Sequence, residues 1–205
     1  MTDCELDQAM SQALRSLDLA RFDQLATEAD RRRVALDDKL DQPGALLAAA
    51  MWYAEQGMPV FPCAVGGKRP ITKHGLHDAT TDLDQIRQWW TSVPQANIGL
   101  PTGHRYDVID IDPPDGYWSL ADLKRERRLP ATYYGRVLTP SGGIHLYITP
   151  SGGGNTTRYR PGIDYRGKGG YVIAPPSRSG GRRWHWANPL STTGYQTVYE
   201  WEVDW

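Results

Sequence analysis

At 205 residues, with 40% hydrophobic and 23% charged side chains, the chain has the size and composition of one large globular domain with room for a substantial core. Its longest apolar run, the ten residues from Ala45 to Ala54, is about half of a membrane span, and no charged, apolar, then small pattern opens the chain. A transmembrane anchor and a signal peptide are therefore excluded as expectations, with the cytoplasm as the default location, and Cys4 and Cys63 are too few for a disulfide framework.

In chain order, residues 3–40 lack Gly and Pro, and Leu14, Leu17, Phe22, Leu25 and Leu36 recur at roughly helical spacing, which predicts one or two helices. Asp41-Gln42-Pro43-Gly44 breaks that pattern and marks a boundary. A buried helix is expected from Ala45 to Gln56, closed by Gly57. Pro59 to Pro62 then forms a short strand leading into the cationic loop Gly66-Gly67-Lys68-Arg69-Pro70. A second helix runs from Asp82, a suitable cap, to Thr91. Strands follow at Asn97–Leu100 and Tyr106–Asp112, a helix at Tyr117–Arg128, and strands at Gly135–Leu138, Ile144–Thr149 and Tyr171–Ile173. Helices alternating with strands, then strands clustering, argue for an α+β domain.

The formal net charge of −1 conceals an asymmetry. Residues 1–42 hold ten acidic and six basic side chains, whereas residues 131–186 hold eight basic ones against the single acid Asp164. A local basic stripe is the kind of feature that attracts nucleic acid, although a charge run alone also describes a solvated face. Without a CxxC pair, and without a fourth partner for Cys63, His74 and His77, no structural zinc is expected.

Three segments have the composition of a catalytic site. In Asp107-Val-Ile-Asp110-Ile-Asp112, strand alternation sends Asp110 and Asp112 to one side and Ile109 and Ile111 to the other. Two carboxylates about 6.6 Å apart along a strand can converge on divalent cations. Asp107 has the opposite parity and is not expected to be a ligand. Alone, the pair would equally suit a strand end stopped by Pro113-Pro114. In Thr139-Pro-Ser141-Gly142-Gly143-Ile-His145, the turn exposes backbone N–H groups and a hydroxyl suited to phosphate oxygens. His145 leaves the next strand on the face opposite Ile144, Leu146 and Ile148. The turn could also be a plain hairpin, and the histidine structural. In Gly162-Ile-Asp164-Tyr-Arg166-Gly-Lys168, the acid among bases reads as a third ligand or as a surface ion pair.

Taken in order, these pieces resemble the Prim-Pol branch of the archaeo-eukaryotic primase superfamily across residues 44–186. The likeness rests on the Lys68-Arg69-Pro70 loop, Thr80-Thr81-Asp82, Trp89-Trp90 and Asn97-Ile98-Gly99-Leu100-Pro-Thr-Gly103. It continues through the Asp-x-Asp pair, Ser-Gly-Gly-x-His, Gly162-Ile-Asp164, Gly170-Tyr171 and Ala174-Pro-Pro-Ser177. The resemblance implies an RRM-like antiparallel sheet with an N-terminal α/β unit. It divides the chain into a helical arm at 1–42, a catalytic domain at 43–190, and a tail or linker at 191–205.

By the same resemblance, Asp110, Asp112 and Asp164 hold two Mg²⁺ or Mn²⁺ ions. His145, Ser141, Gly142 and Gly143 meet the phosphates of the incoming nucleotide, and Arg69, Arg166 and Lys168 meet phosphate or template. The implied activity is template-directed DNA polymerase/primase chemistry in replication of phage, plasmid or bacterial DNA, with dNTP or NTP and single-stranded or primed DNA as substrates. A helicase or helical domain downstream is an expected partner, a membrane is not, and the chain contains no G-x-x-x-x-G-K-[ST] motor loop. Because little sequence follows residue 189, primer extension is expected to exceed primer initiation. A metal-dependent nuclease and a replication-origin binding module are the alternatives from other classes. Trp184 and Trp186 are expected to pack rather than to stack on bases.

Overall fold

The computed structural model describes residues 39–195 and eight positions before them: Glu5, Leu6, Ala9, Met10, Gln12, Arg21, Gln24 and Glu28, all in helix. The rest of the helical stretch expected at 3–40, and residues 196–205 of the expected tail, lie outside the described residues. The chain divides into two compact units, Met1–Ala45 and Leu46–Trp205. Everything below concerns the second, which mixes helices with antiparallel sheets and is therefore α+β.

Helix α1 (Ala45–Glu55) is alanine-rich, a composition that favours helix, and buries Ala50, Tyr53 and Ala54 at spacings of three and four residues. The Tyr53 hydroxyl donates to the Pro175 carbonyl at 2.8 Å, tying this helix to a distant loop. Helix α2 (Leu83–Ser92) starts at Asp82 as the sequence suggests. The Asp82 carboxylate accepts from the Asp84 and Gln85 amides at 2.9 and 3.4 Å and so satisfies two donors of the first turn. Ile86 and Trp90 form its buried side.

Between and after these helices run β1 (Phe61–Cys63), β2 (Asn97–Pro101) and, much later, β8 (Tyr171–Ala174). They form a three-stranded antiparallel sheet in the order β1-β2-β8. The larger sheet uses β3 (Asp107–Ile111), β4 (Tyr133–Leu138), β5 (Ile144–Ile148), β6 (Thr156–Arg160), β7 (Ile163–Arg166) and β11 (His185–Asn188), in the order β11-β4-β5-β3-β7-β6, every pairing antiparallel. A two-stranded ribbon, β9 (Arg178–Ser179) with β10 (Arg182–Arg183), precedes β11.

The two faces of the larger sheet bury different sets of residues. Ile109, Ile111, Ile144, Leu146, Ile148 and Ile163 pack with Leu120 and Leu123 of helix α3 (Asp115–Arg125). Val108, Val137 and Tyr147 face the opposite way, into a core shared with α1, α2 and the three-stranded sheet. Helix α3 begins two residues before the expected Tyr117 and ends three before Arg128. Proline is tolerated where helical N–H groups have no partner, so Pro114 stands at the N-cap instead of delaying the start. Strand β6, Thr-Thr-Arg-Tyr-Arg, and the ribbon β9–β10 lack apolar alternation and were not foreseen for that reason. Beyond β11, the Tyr195 amide donates to the Tyr133 carbonyl at 2.7 Å, so residues up to 195 remain fastened to β4.

Candidate active site

Strand register brings the segments together. Asp110 on β3 lies opposite His145 on β5 and, on its other side, opposite Asp164 on β7. Three candidate residues from distant parts of the sequence thus occupy one row across three adjacent strands, on the face turned towards the three-stranded sheet. Arg166, two residues beyond Asp164, shares that face. Its Nη2 lies 2.7 Å from Asp164 Oδ2 and 3.1 Å from Asp110 Oδ2, so one guanidinium bridges both carboxylates. Asp164 Oδ1 accepts the Arg158 amide at 2.7 Å.

Asp112 follows the end of β3, its amide donating to Gly162 and its carbonyl accepting from Gly116, both at 2.8 Å. Burial raises its carboxyl pKa above the ordinary value, and the nearby charge of Asp110 and then Asp164 adds to the rise against the opposing pull of Lys68 and Arg166. The Ser-Gly-Gly turn crosses this strand end. Thr139 Oγ1 accepts the Gly143 amide at 2.9 Å and lies 3.0 Å from Ser141 Oγ, while the Tyr117 hydroxyl donates to the Gly142 carbonyl. Glycine is required at 143 by close approach: a Cβ there would sit 2.5 Å from the Ile111 carbonyl oxygen and 3.3 Å from Asp112 Oδ1. Ser141 and Gly142 are exposed.

His145 is buried, with Nε2 3.5 Å from Asp110 Oδ1 and Nδ1 lacking any hydrogen-bond partner. Burial pushes its pKa down to about 4; Asp110 pulls it upward, while Lys68 and Arg166 push it further down. The imidazole is therefore neutral near pH 7. Asp110, His145 and Arg166 line a pocket of about 210 Å³ together with Lys68, Asn155, Trp184 and the β8 residues Tyr171 to Ile173. Arg69 and Lys168 are exposed and stand outside that lining. Among the described residues, no three His, Cys, Asp or Glu side chains converge as a ready-made metal-ligand group, and the Arg166 guanidinium bridges two of the three aspartates.

Residues 50–197 match the family model of the bifunctional DNA primase/polymerase N-terminal domain, Prim-Pol. The chain belongs to the Prim-Pol family. That family is one of DNA primase/polymerases, so an enzyme acting on DNA and nucleotides is the activity that membership implies. A comparison with curated proteins returned no match. No helix among the described residues is long and apolar enough to cross a membrane.

Among the pocket residues of this Prim-Pol domain, sequence reasoning missed Asn155, read Lys68 only as part of a cationic loop, and read Trp184 only as a packing residue. Lys68 faces the pocket where its neighbour Arg69 does not, and its Nζ lies 5.9 Å from the Trp184 ring centroid. Asn155 holds the Gly167 amide at 3.1 Å and so fixes the loop after β7. Trp184 is fully buried, and Trp186 donates to the Tyr53 hydroxyl at 3.1 Å, so both pack in the interior. Other motif residues act as struts: Asn97 Nδ2 donates to the Gly67 and Arg178 carbonyls at 2.9 and 2.8 Å, the Ile98 amide donates to Ser177 Oγ, and the Thr102 hydroxyl donates to the Gly167 carbonyl. The only advance signal for these was their place in the motif order.

Proposed function

We propose that this Prim-Pol domain is a template-directed nucleotidyltransferase that adds nucleotides to a DNA 3′-hydroxyl with two divalent cations, in DNA replication in the cytoplasm. The observation carrying this reading is the row Asp110, His145 and Asp164, with Asp112 at its end, facing a cationic pocket. In this reading the six-stranded sheet is the RRM-like half of the catalytic core, and the three-stranded sheet with α1 and α2 supplies the other wall.

The donor set suits hard cations. Aspartate oxygens are the ligands that Mg²⁺ and Mn²⁺ prefer, and the burial and, after it, the carboxylate repulsion that raise the Asp112 pKa are costs a dication offsets. Asp110, Asp112 and Asp164 would hold the ions. When bound, the ions supply a lowered pKa for the attacking hydroxyl and charge neutralisation for the departing pyrophosphate.

The chain's own residues do the rest. His145, uncharged at neutral pH, offers one N–H to a phosphate oxygen and is a hydrogen-bond donor rather than a proton source. The Ser141 hydroxyl and the Gly142-Gly143 turn line the approach to Asp112. Lys68 and Arg166 place positive charge on the pocket wall against a triphosphate, and Trp184 closes its apolar side.

The test supplies primed single-stranded DNA, nucleotide and either cation, and follows strand length and pyrophosphate together. Elongation with equal release of pyrophosphate is expected. Shortening of the DNA without added nucleotide would make the site a nuclease, and DNA function that survives Asp110→Ala would make the domain a binding module.

A further inference from the structure

Strand β6 is the outer edge of the six-stranded sheet, and its pairing with β7 is irregular. Thr156 pairs with Tyr165 and Arg160 with Ile163, so the three residues Thr157, Arg158 and Tyr159 stand against the single residue Asp164. At the apex Arg158 adopts a left-handed backbone, φ 55°, which a residue with a side chain rarely takes. That conformation directs the Arg158 amide onto Asp164 Oδ1 at 2.7 Å. The bulge is therefore wrapped around a candidate catalytic carboxylate, and bulges commonly re-aim side chains beside active sites.

The bulge also presents an unpartnered surface. Arg158 and Tyr159 are exposed, Tyr159 by 43%, and neither side chain has a hydrogen-bond or ion-pair partner among the described residues. Arg160 differs, since Glu126 holds it at 3.1 Å. A planar aromatic next to an unneutralised guanidinium is the combination that binds single-stranded nucleic acid, the ring stacking on a base and the cation meeting a phosphate. The strand leads there from the pocket: Asn155 lines the pocket, and Tyr159 follows it by at most about 13 Å of extended chain. Asp164, the only acid between residues 131 and 186, is paired with Arg166, and Glu126, which reaches β6 at Arg160, is paired there, so the charge the bulge itself exposes is that of Arg158.

We infer that the β6 bulge, through Arg158 and Tyr159, is a docking edge for single-stranded DNA that delivers the strand to the Asp164 side of the site. This rests on the proposed polymerase reading and adds where the strand lies. The competing explanation is that the bulge merely blunts an exposed sheet edge against aggregation.

The test is anisotropy of a fluorescein-labelled single-stranded oligodeoxynucleotide, titrated with the full chain without nucleotide or divalent metal, at several salt concentrations. Arg158→Gly keeps the backbone amide on Asp164 and suits the positive φ, so it should fold as well as the parent. It should weaken DNA binding several-fold and lower the log–log salt slope by about one. Tyr159→Ala should weaken binding roughly five- to hundredfold, the range expected for one lost stack. Binding of a fluorescent nucleotide without DNA should change in neither. Parental DNA affinity and salt slope in both variants would overturn the inference, and increased aggregation with parental affinity would assign the bulge to edge protection. Because no turnover is measured, these outcomes stand apart from the fate of the polymerase reading.

Discussion

Asp107 and Asp110 lie three residues apart on one strand and meet opposite surroundings. Asp107 faces the helix α3 side, fully buried, and its Oδ2 accepts the Ser151 amide at 2.7 Å and the Tyr165 hydroxyl. Asp110 faces the pocket, where its neighbours are a second carboxylate, a neutral imidazole and the guanidinium of Arg166. The first is answered by fixed dipoles and holds a loop in place. The second is answered by a cationic side chain on a flexible stem, which on the proposed reading gives way to a metal ion. A buried carboxylate is thus a structural device or a chemical one according to what neutralises it, and the parity of the strand decides which.

Substitution should separate the two most sharply. Asp110→Ala should lower nucleotide incorporation on the order of a thousandfold or more while leaving the melting temperature near the parent's, and Asp112→Ala and Asp164→Ala should behave alike. Asp107→Ala should do the reverse, costing about 1 kcal/mol of stability by removing the acceptor of the Ser151 amide and the Tyr165 hydroxyl, with turnover kept within tenfold. Paired turnover and thermal-unfolding measurements check this, and a stable, active Asp110→Ala protein would erase the distinction.

The pocket face should also register pH. The His145 pKa is held at about 4, below the unfolded value near 6.5, so between those limits the unfolded chain binds the additional proton. Its contribution is complete above about pH 6.5 and is lost as pH falls towards 4, a change of about 3 kcal/mol. In metal-free buffer, His145→Gln should flatten the fall of unfolding free energy across that window; parallel curves would show that the imidazole is not held neutral. The smallest effect concerns Arg166. Without metal, Arg166→Ala should lower stability by about 1 kcal/mol, because Asp110 and Asp164 lose their shared counter-charge. On the proposed reading Mn²⁺ should close most of that gap, and a deficit insensitive to Mn²⁺ would argue that the carboxylates hold no cation.

Much of this arrangement was legible from side-chain parity. The alternation in Asp107 to Asp112 and in Ile144 to Ile148 placed the correct residues on the α3 face, and Asp82 announced the start of α2. What parity cannot supply is register. That Asp110 sits between His145 and Asp164 depends on two hairpin geometries and a strand order that a linear pattern does not encode. Lys68 and Arg69 are adjacent in an irregular loop, where no period indicates which of them turns inward. The β6 bulge is polar throughout and breaks the two-residue period, so hydrophobic pattern was silent on it. Residues 131–186 are basic in sequence, yet in space Arg166 is spent on carboxylates and Arg160 on Glu126, so a tally of charges overstates what faces a polyanion.

The turn before β7 meets the first turn of α3 at two glycines. Gly162 has φ 65°, and a Cβ on it would collide with the Gly116 amide, while a Cβ on Gly116 would strike the Gly162 carbonyl. The same contact carries the Asp112 amide to the Gly162 carbonyl. In a mutational library, these two positions should vanish from variants sorted for folding alone, whereas Asp110 and Asp164 should vanish only when the sort demands synthesis. An inventory of intolerant sites that ignored this difference would count the hinge pin as part of the blade.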